Sequence, residues 1–205
     1  IGEALVKELQ LRKAKKIINI DIKKNKNIDI DFLKCDVGDS FEVKQTINKI
    51  YKKYKKIDLF CSNAGIAVDD DGLASDKHWD HILKVNLLQH TNIVRNCISA
   101  MLKNKSGWFL ITASAAGLLS QVGSATYSTT KHATVGFAEW LSITYGDSGI
   151  GVSLLCPQGV NTPMTANIKN GGVAGINGML EPEDVAKISL DQMALGKFLI
   201  TPHEI

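Results

Sequence analysis

Short apolar runs alternate along the chain with longer stretches of helical patterning, and this alternation does most to restrict what the chain can fold into. The runs read as strands over 16–21, 30–36, 57–62, 107–113, 150–156 and 197–201. The stretches between them read as helices over 2–13, 39–55, 76–104, 124–147 and 182–195. Strands separated by whole helices cannot pair through tight hairpins. They fold as βαβ units, with parallel strands in one sheet and helices on both faces. Asp39 or Ser40 is a suitable N-cap for the second helix, and Glu181-Pro182-Glu183-Asp184 a suitable start for the last. Residues 164–180, rich in Gly and Asn, predict a loop or short helix. At 205 residues the chain is expected to form one domain.

Composition narrows the functional class. Basic residues number 24 and acidic 21, for a net charge of +3. No basic stripe interleaved with aromatics appears, so nucleic acid is not expected as a partner. The four cysteines, Cys35, Cys61, Cys97 and Cys156, lie far apart without metal-ligand spacing, and no metal is expected. Neither a membrane-length apolar run nor a signal peptide is visible, which predicts a cytoplasmic protein. The acid run Asp69-Asp70-Asp71 reads as a solvated loop.

The chemistry concentrates on Ser114, Tyr127 and Lys131. Tyr127 and Lys131 fall four apart on a predicted helix, hence on one face. A nearby cation favours the charged form of a phenol, the tuning a general acid/base needs for work on an alcohol or carbonyl. Ser114 follows the strand-like run 107–113, at the carboxyl end where parallel sheets bind ligands. A second Tyr-x-x-x-Lys, Tyr51 to Lys55, has no serine at a matching distance and reads as a solvated helix face.

Other segments fall in step with this set: Ser62-Asn63-Ala64-Gly65 after a strand-like run, Asn86 beyond it, and Pro157-Gln158-Gly159-Val160-Asn161-Thr162 after another. Together they resemble the short-chain dehydrogenase/reductase family over nearly the whole chain. Gln158 departs from the pattern, standing where the family has glycine. The resemblance implies a doubly wound Rossmann-type α/β fold that binds a nicotinamide dinucleotide, with NAD favoured over NADP. It implies catalytic roles for Asn86, Ser114, Tyr127 and Lys131. Asp21, at a strand end, would accept the adenosine ribose hydroxyls and repel a 2′-phosphate. Asp36 and Val37 would meet the adenine, and Asn63, Ala64 and Gly65 would lie beside the ribose. Lys131 and Tyr127 would reach the nicotinamide ribose. Pro157, Val160 and Thr162 would hold the ring.

The implied reaction is hydride transfer between NAD(H) and an alcohol or ketone. Epimerisation, dehydration, or a non-catalytic NAD-binding or assembly role are the alternatives. Apolar residues in 115–123 and 164–180 suggest an apolar substrate. A homodimer or homotetramer packed through helices 76–104 and 124–147 is expected. Two places fit poorly. Ile1-Gly2 resembles the end of the family's glycine-rich turn, so the chain reads as truncated before it, lacking a first strand. Residues 22–29 are short for a parallel crossover, and read as a bare loop or as a place where residues are missing.

Overall fold

A computed structural model of the chain describes residues 1–67, 70, 72–167 and 169–203, without the side chains of 169 and 170. The elements follow in the order α1 (Gly2–Leu11), β1 (Ile18–Asp21), β2 (Asp31–Lys34), α2 (Ser40–Tyr54), β3 (Leu59–Ser62) and α3 (Asp76–Leu83). Then come a π-helical turn (Lys84–Leu88), α4 (Gln89–Asn104), β4 (Gly107–Thr112), α5 (Ala125–Tyr145), β5 (Ile150–Leu155), α6 (Pro182–Ala194) and β6 (Leu199–Ile200). Every predicted element is present, and most are shorter by one to three residues at their ends. All strand pairs are parallel.

Side-chain alternation explains the layers. On β4, Phe109 and Ile111 face one core, whereas Leu110 faces the other. Likewise Val152 and Leu154 of β5 face the first core and Leu155 the second. The first core is closed by Val43 and Ile47 of α2, Ile93 and Cys97 of α4, and Ala138 and Leu141 of α5. The second is closed by Ala4 and Leu5 of α1 and by Val185 and Leu190 of α6. Period-two burial on both faces is what a strand sandwiched between helix layers requires. Asp39 caps α2, accepting from the Phe41 and Glu42 N–H groups at 2.8 and 3.0 Å.

The expected single sheet is divided. Among the described residues β1 pairs only with β2, and β3-β4-β5-β6 form a second sheet in that order. Between the facing edges of β1 and β3 lies a cavity of about 820 Å³, lined by Ile18, Ile20, Leu59, Cys61, Ile93 and other apolar side chains. Gly2 and Leu5 of α1 also line it. The two edges therefore lack the backbone partners that a continuous sheet would supply.

The link from β1 to β2 is a bare loop. It is pinned by buried Ile28 and by Asn25, whose Nδ2 donates to Glu3 Oε2 at 2.7 Å. A four-residue strand needs only a short return path, so the connection closes without a helix. The predicted helix 76–104 is interrupted by the π turn at Lys84–Leu88, a local widening that often marks functional sites. The expectation for the second Tyr-x-x-x-Lys is corrected in part. Tyr51 packs against the core and its hydroxyl donates to the Cys97 carbonyl at 3.3 Å, because burying a phenol requires a partner for its O–H.

Candidate active site

The loop after β4 and the first turns of α5 converge at the carboxyl end of the larger sheet. Ser114 has extended backbone and starts a 3₁₀ turn, its Oγ accepting from the Ala116 N–H at 3.1 Å. Its hydroxyl also bonds Tyr127, which eases ionisation of the phenol, but burial outweighs this and raises the Tyr127 pKa. Lys131 is 3% exposed, and its Nζ donates to the Thr112 carbonyl at 3.2 Å. Burial pushes its pKa down to about 8. The sequence predicts that the ammonium lowers the pKa of the phenol. In the ligand-free structure Lys131 Nζ lies 5.5 Å from the centre of the Tyr127 ring and donates to a carbonyl, and burial is the largest influence on the pKa of both groups.

Asn86 sits in the π turn, fully buried. Its Oδ1 accepts from the Ile66 N–H and its Nδ2 donates to the Ile66 carbonyl, both at 2.9 Å. Nδ2 also donates to Thr130 Oγ1 at 3.3 Å, while Thr134 Oγ1 donates to the Asn86 carbonyl at 2.9 Å. Asn86 thus ties the loop after β3 to the helix carrying Tyr127 and Lys131. Gln89 reinforces the tie, donating to the carbonyls of Ala64 and Val85. Gly65 lies in this loop, and a Cβ added there would rest 3.5 Å from both Asn86 Oδ1 and Lys131 Nζ. Gly117 allows the 3₁₀ turn to press on α5, since a Cβ there would come 2.6 Å from the Lys131 carbonyl.

His90 is fully buried, with Nδ1 2.6 Å from Ser62 Oγ and Nε2 without a hydrogen-bond partner among the described residues. Burial, with the Lys131 charge second, pushes its pKa down to about 3.

Asp70 corrects the reading of its acid run as solvated. Its carboxylate accepts from the Ala125 and Thr126 N–H groups at 3.1 and 3.3 Å and from Thr126 Oγ1 at 2.6 Å. It caps α5 from 55 residues away, because the first N–H groups of a helix need acceptors from outside it. These bonds, the Thr126 hydroxyl first, hold its pKa below the ordinary carboxylate value. Asp69 and Asp71 lie outside the described residues.

The remaining predicted binding residues are distributed along the same edge. Asp21 is exposed at the end of β1, with Oδ1 accepting from the Lys23 N–H at 3.1 Å. The Asp36 carboxylate turns back onto the Gly38 N–H at 2.8 Å, and Val37 packs on the first core. Asn63 Oδ1 accepts from Thr112 Oγ1 at 3.2 Å. Ala64 is exposed beside it. Ile1 packs on the second core, and a Cβ on Gly2 would lie 3.0 Å from Asn63 Nδ2. Pro157 and Val160 are buried and Thr162 is half-buried. Gln158, despite standing where glycine is the family pattern, does not have positive φ. Its N–H is taken by His203, and its side chain accepts from Asn177 at 3.0 Å.

A parallel α/β sheet with a serine, a tyrosine and a buried lysine at one strand end defines the dehydrogenase type of dinucleotide fold. The profile of the short chain dehydrogenase family matches residues 1–172, and the chain belongs to that family. It is 32% identical over 159 residues to the 3-oxoacyl-[acyl-carrier-protein] reductase FabG of Buchnera aphidicola, covering 77% of this chain and 63% of that one. It is 30% identical over 137 residues to the 3beta-hydroxysteroid dehydrogenase of Mediterraneibacter gnavus, covering 66% of this chain and 49% of that one. The chain spans less than two thirds of the length of several such relatives. Aldohexose dehydrogenase of Thermoplasma acidophilum superposes with a TM-score of 0.87 at 20% identity, covering 98% of this chain and 88% of that one. Levodione reductase superposes at 0.86 and 19% identity, covering 98% and 91%. Among the described residues, no helix is long and apolar enough to cross a membrane.

Proposed function

We propose that the protein is an NAD-dependent oxidoreductase interconverting a secondary alcohol and a ketone. The observation that carries this reading is the meeting of Ser114, Tyr127 and Lys131 at the carboxyl end of β4, with a buried cation whose three N–H groups find one acceptor, the Thr112 carbonyl, among the described residues. A buried ammonium with donors to spare suits a ligand rich in hydroxyl oxygens, such as a nucleotide ribose. The names of the two curated relatives also speak of oxo and hydroxy carbons.

A nicotinamide dinucleotide supplies the hydride acceptor or donor when bound. Tyr127 gives its phenolic proton to the substrate oxygen in reduction and takes it back in oxidation. Ser114 donates to the same oxygen and stabilises charge developing there. Lys131 favours the phenolate electrostatically once the site is filled, and Asn86 fixes the depth of α5 against the loop after β3. Asp21 accepts ribose hydroxyls and disfavours a 2′-phosphate, which supports NAD over NADP. Asn63, Ala64 and Gly65 flank the adenosine, and Val160 and Thr162 the nicotinamide. Asp36, with its carboxylate turned onto Gly38, contributes at most a rim contact.

Leu118, Leu119, Val122, Met164, Val173 and Ile176 expose apolar surface on the two loops after β4 and β5, which supports an apolar substrate. Leu88, Trp140 and Ile143 are also exposed, on the π turn and α5, consistent with a homodimer or homotetramer through these helices in the cytoplasm.

The test is a screen of the intact protein against apolar secondary alcohols with NAD or NADP, read by absorbance of the reduced nicotinamide. Turnover with a higher kcat/KM for NAD, and its loss in Tyr127→Phe with nucleotide affinity kept, is the expected result. A phenylalanine variant within tenfold of wild type overturns the reading.

A further inference from the structure

We infer that His203 is a positioning residue that clamps the Pro157–Thr162 turn from outside the recognised motifs, setting the height of the surface proposed above for the nicotinamide; the inference rests on that reading. His203 lies just past β6, 5% exposed. Its Nδ1 accepts from the Gln158 N–H at 3.2 Å, and its Nε2 lies 3.0 Å from the Gly159 carbonyl. Because Nδ1 faces a donor and Nε2 an acceptor, the ring is fixed as the neutral Nε2–H tautomer. One imidazole therefore holds the 157–158 and 159–160 peptide groups, which flank the 158–159 peptide.

Backbone bonds hold the turn as well. The Gly159 N–H donates to the Ala174 carbonyl at 2.7 Å, and the Leu180 N–H to the Gly159 carbonyl at 3.0 Å. The Asn161 N–H donates to the Leu180 carbonyl at 2.9 Å. All these partners belong to the loop between β5 and α6, which also carries the proposed substrate rim. The Ala115 N–H, just past β4, donates to the Pro157 carbonyl at 2.9 Å, and His203 ties the next residues of the turn, Gln158 and Gly159, to the segment after β6. The Cys156 N–H reaches the Ile200 carbonyl at 2.8 Å, so the clamp continues the β5–β6 ladder past its last strand residue. The ring supplies the acceptor that a further strand residue would otherwise have offered to Gln158. A glutamine is tolerated at 158 because its N–H is satisfied and its φ is not positive.

Three substitutions in the intact protein separate the two bonds. His203→Phe keeps the ring volume and removes both. His203→Asn keeps an acceptor near the Nδ1 position, and His203→Gln a donor near Nε2. In the ligand-free wild type, ¹⁵N shifts of the His203 ring should show the Nε2–H tautomer, and the Gln158 amide should exchange slowly. His203→Phe should weaken NAD affinity by calorimetry about tenfold, leave the substrate KM nearly unchanged, and speed Gln158 exchange; His203→Asn should restore slow exchange and part of the affinity. An Nδ1–H tautomer, a fast Gln158 amide in the wild type, or wild-type NAD affinity in His203→Phe overturns the clamp. Should His203→Phe fail to fold, the tautomer and the two amide variants decide. Tyr127→Phe in the same series reports separately: if it turns over normally, the functional reading fails; if it is inactive while His203→Phe binds NAD as wild type does, the clamp fails alone.

Discussion

Lys131 Nζ lies 5.5 Å from the centre of the Tyr127 ring and spends its hydrogen bond on the Thr112 carbonyl. In the ligand-free protein each side chain is disfavoured in its charged form by burial. Under the function proposed above, the bound state would be favoured at the expense of the empty one, a common source of conflict between activity and stability.

One consequence concerns Lys131 directly. Its folded pKa of about 8 lies below the ordinary 10.5. Below pH 8 the cation is buried at full cost; between pH 8 and 10.5 the unfolded chain binds a proton that the folded one has released, so stability rises with pH. Lys131→Met removes the cation at nearly constant volume. It should stabilise the ligand-free protein at pH 7 by about 1–2 kcal/mol, after loss of the Thr112 bond, and abolish turnover. Melting curves from pH 6 to 10 check this; a variant that melts below wild type at pH 7 refutes it.

His90 titrates in the opposite range. Folded, it is held neutral down to about pH 3, while in the unfolded chain it protonates near 6.5. The unfolded state therefore binds the extra proton between these values, and stability falls as pH drops through that window, by about 1.4 kcal/mol per unit. Replacing both partners, His90→Leu with Ser62→Ala, should flatten the slope relative to wild type between pH 6 and 4. Denaturant midpoints across that range provide the measurement, and parallel slopes would contradict the burial account.

Asp70 makes a different kind of prediction, because it acts at the start of the helix that carries Tyr127. Asp70→Ala removes an N-cap and should cost about 1–2 kcal/mol. Since Tyr127 lies within the first turn of α5, kcat should fall more than the substrate KM changes. Asp70→Asn, which keeps an acceptor, should recover most of the stability. Equal loss in both variants would show that charge rather than capping matters.

Much of this was legible in the sequence because it is local. Short apolar runs and helical patterning set the elements; the i, i+4 spacing put Tyr127 and Lys131 on one face; and the cap of α2 fell to Asp39, one of the two candidates Asp39 and Ser40. What could not be read depends on contacts distant along the chain. Asp70 finds the α5 terminus 55 residues on, and His203 finds Gln158 across 45. Neither has a spacing rule. The π turn at Asn86 was hidden because its cause is tertiary: Asn86 and Gln89 satisfy the loop carbonyls of Ile66 and Ala64, and Thr134 takes the Asn86 carbonyl from α5. The depth of burial of Tyr127 and Lys131 was hidden for a related reason, since proximity in sequence gives a charge partner but not desolvation.

The divided sheet leads to the last prediction, which concerns the 205-residue chain itself. β4 is paired on both sides, by β3 and β5, whereas β1 and β3 each present one edge to the apolar cavity of about 820 Å³. An unpaired strand edge opens at lower free energy than a strand held on both sides, and amide exchange reads that difference. Each unsatisfied buried backbone group costs about 1–3 kcal/mol. Amides of Leu59–Ser62 and Ile18–Asp21 should therefore exchange at least a hundredfold faster than those of Phe109–Ile111 and Val152–Leu154. An apolar fluorescent dye should bind and brighten, since Ile18, Ile20, Leu59 and Ile93 offer it apolar surface. If the β3 amides are as protected as those of β4 and the dye stays dark, the cavity is closed in solution by a rearrangement of α1, and the two sheets join directly.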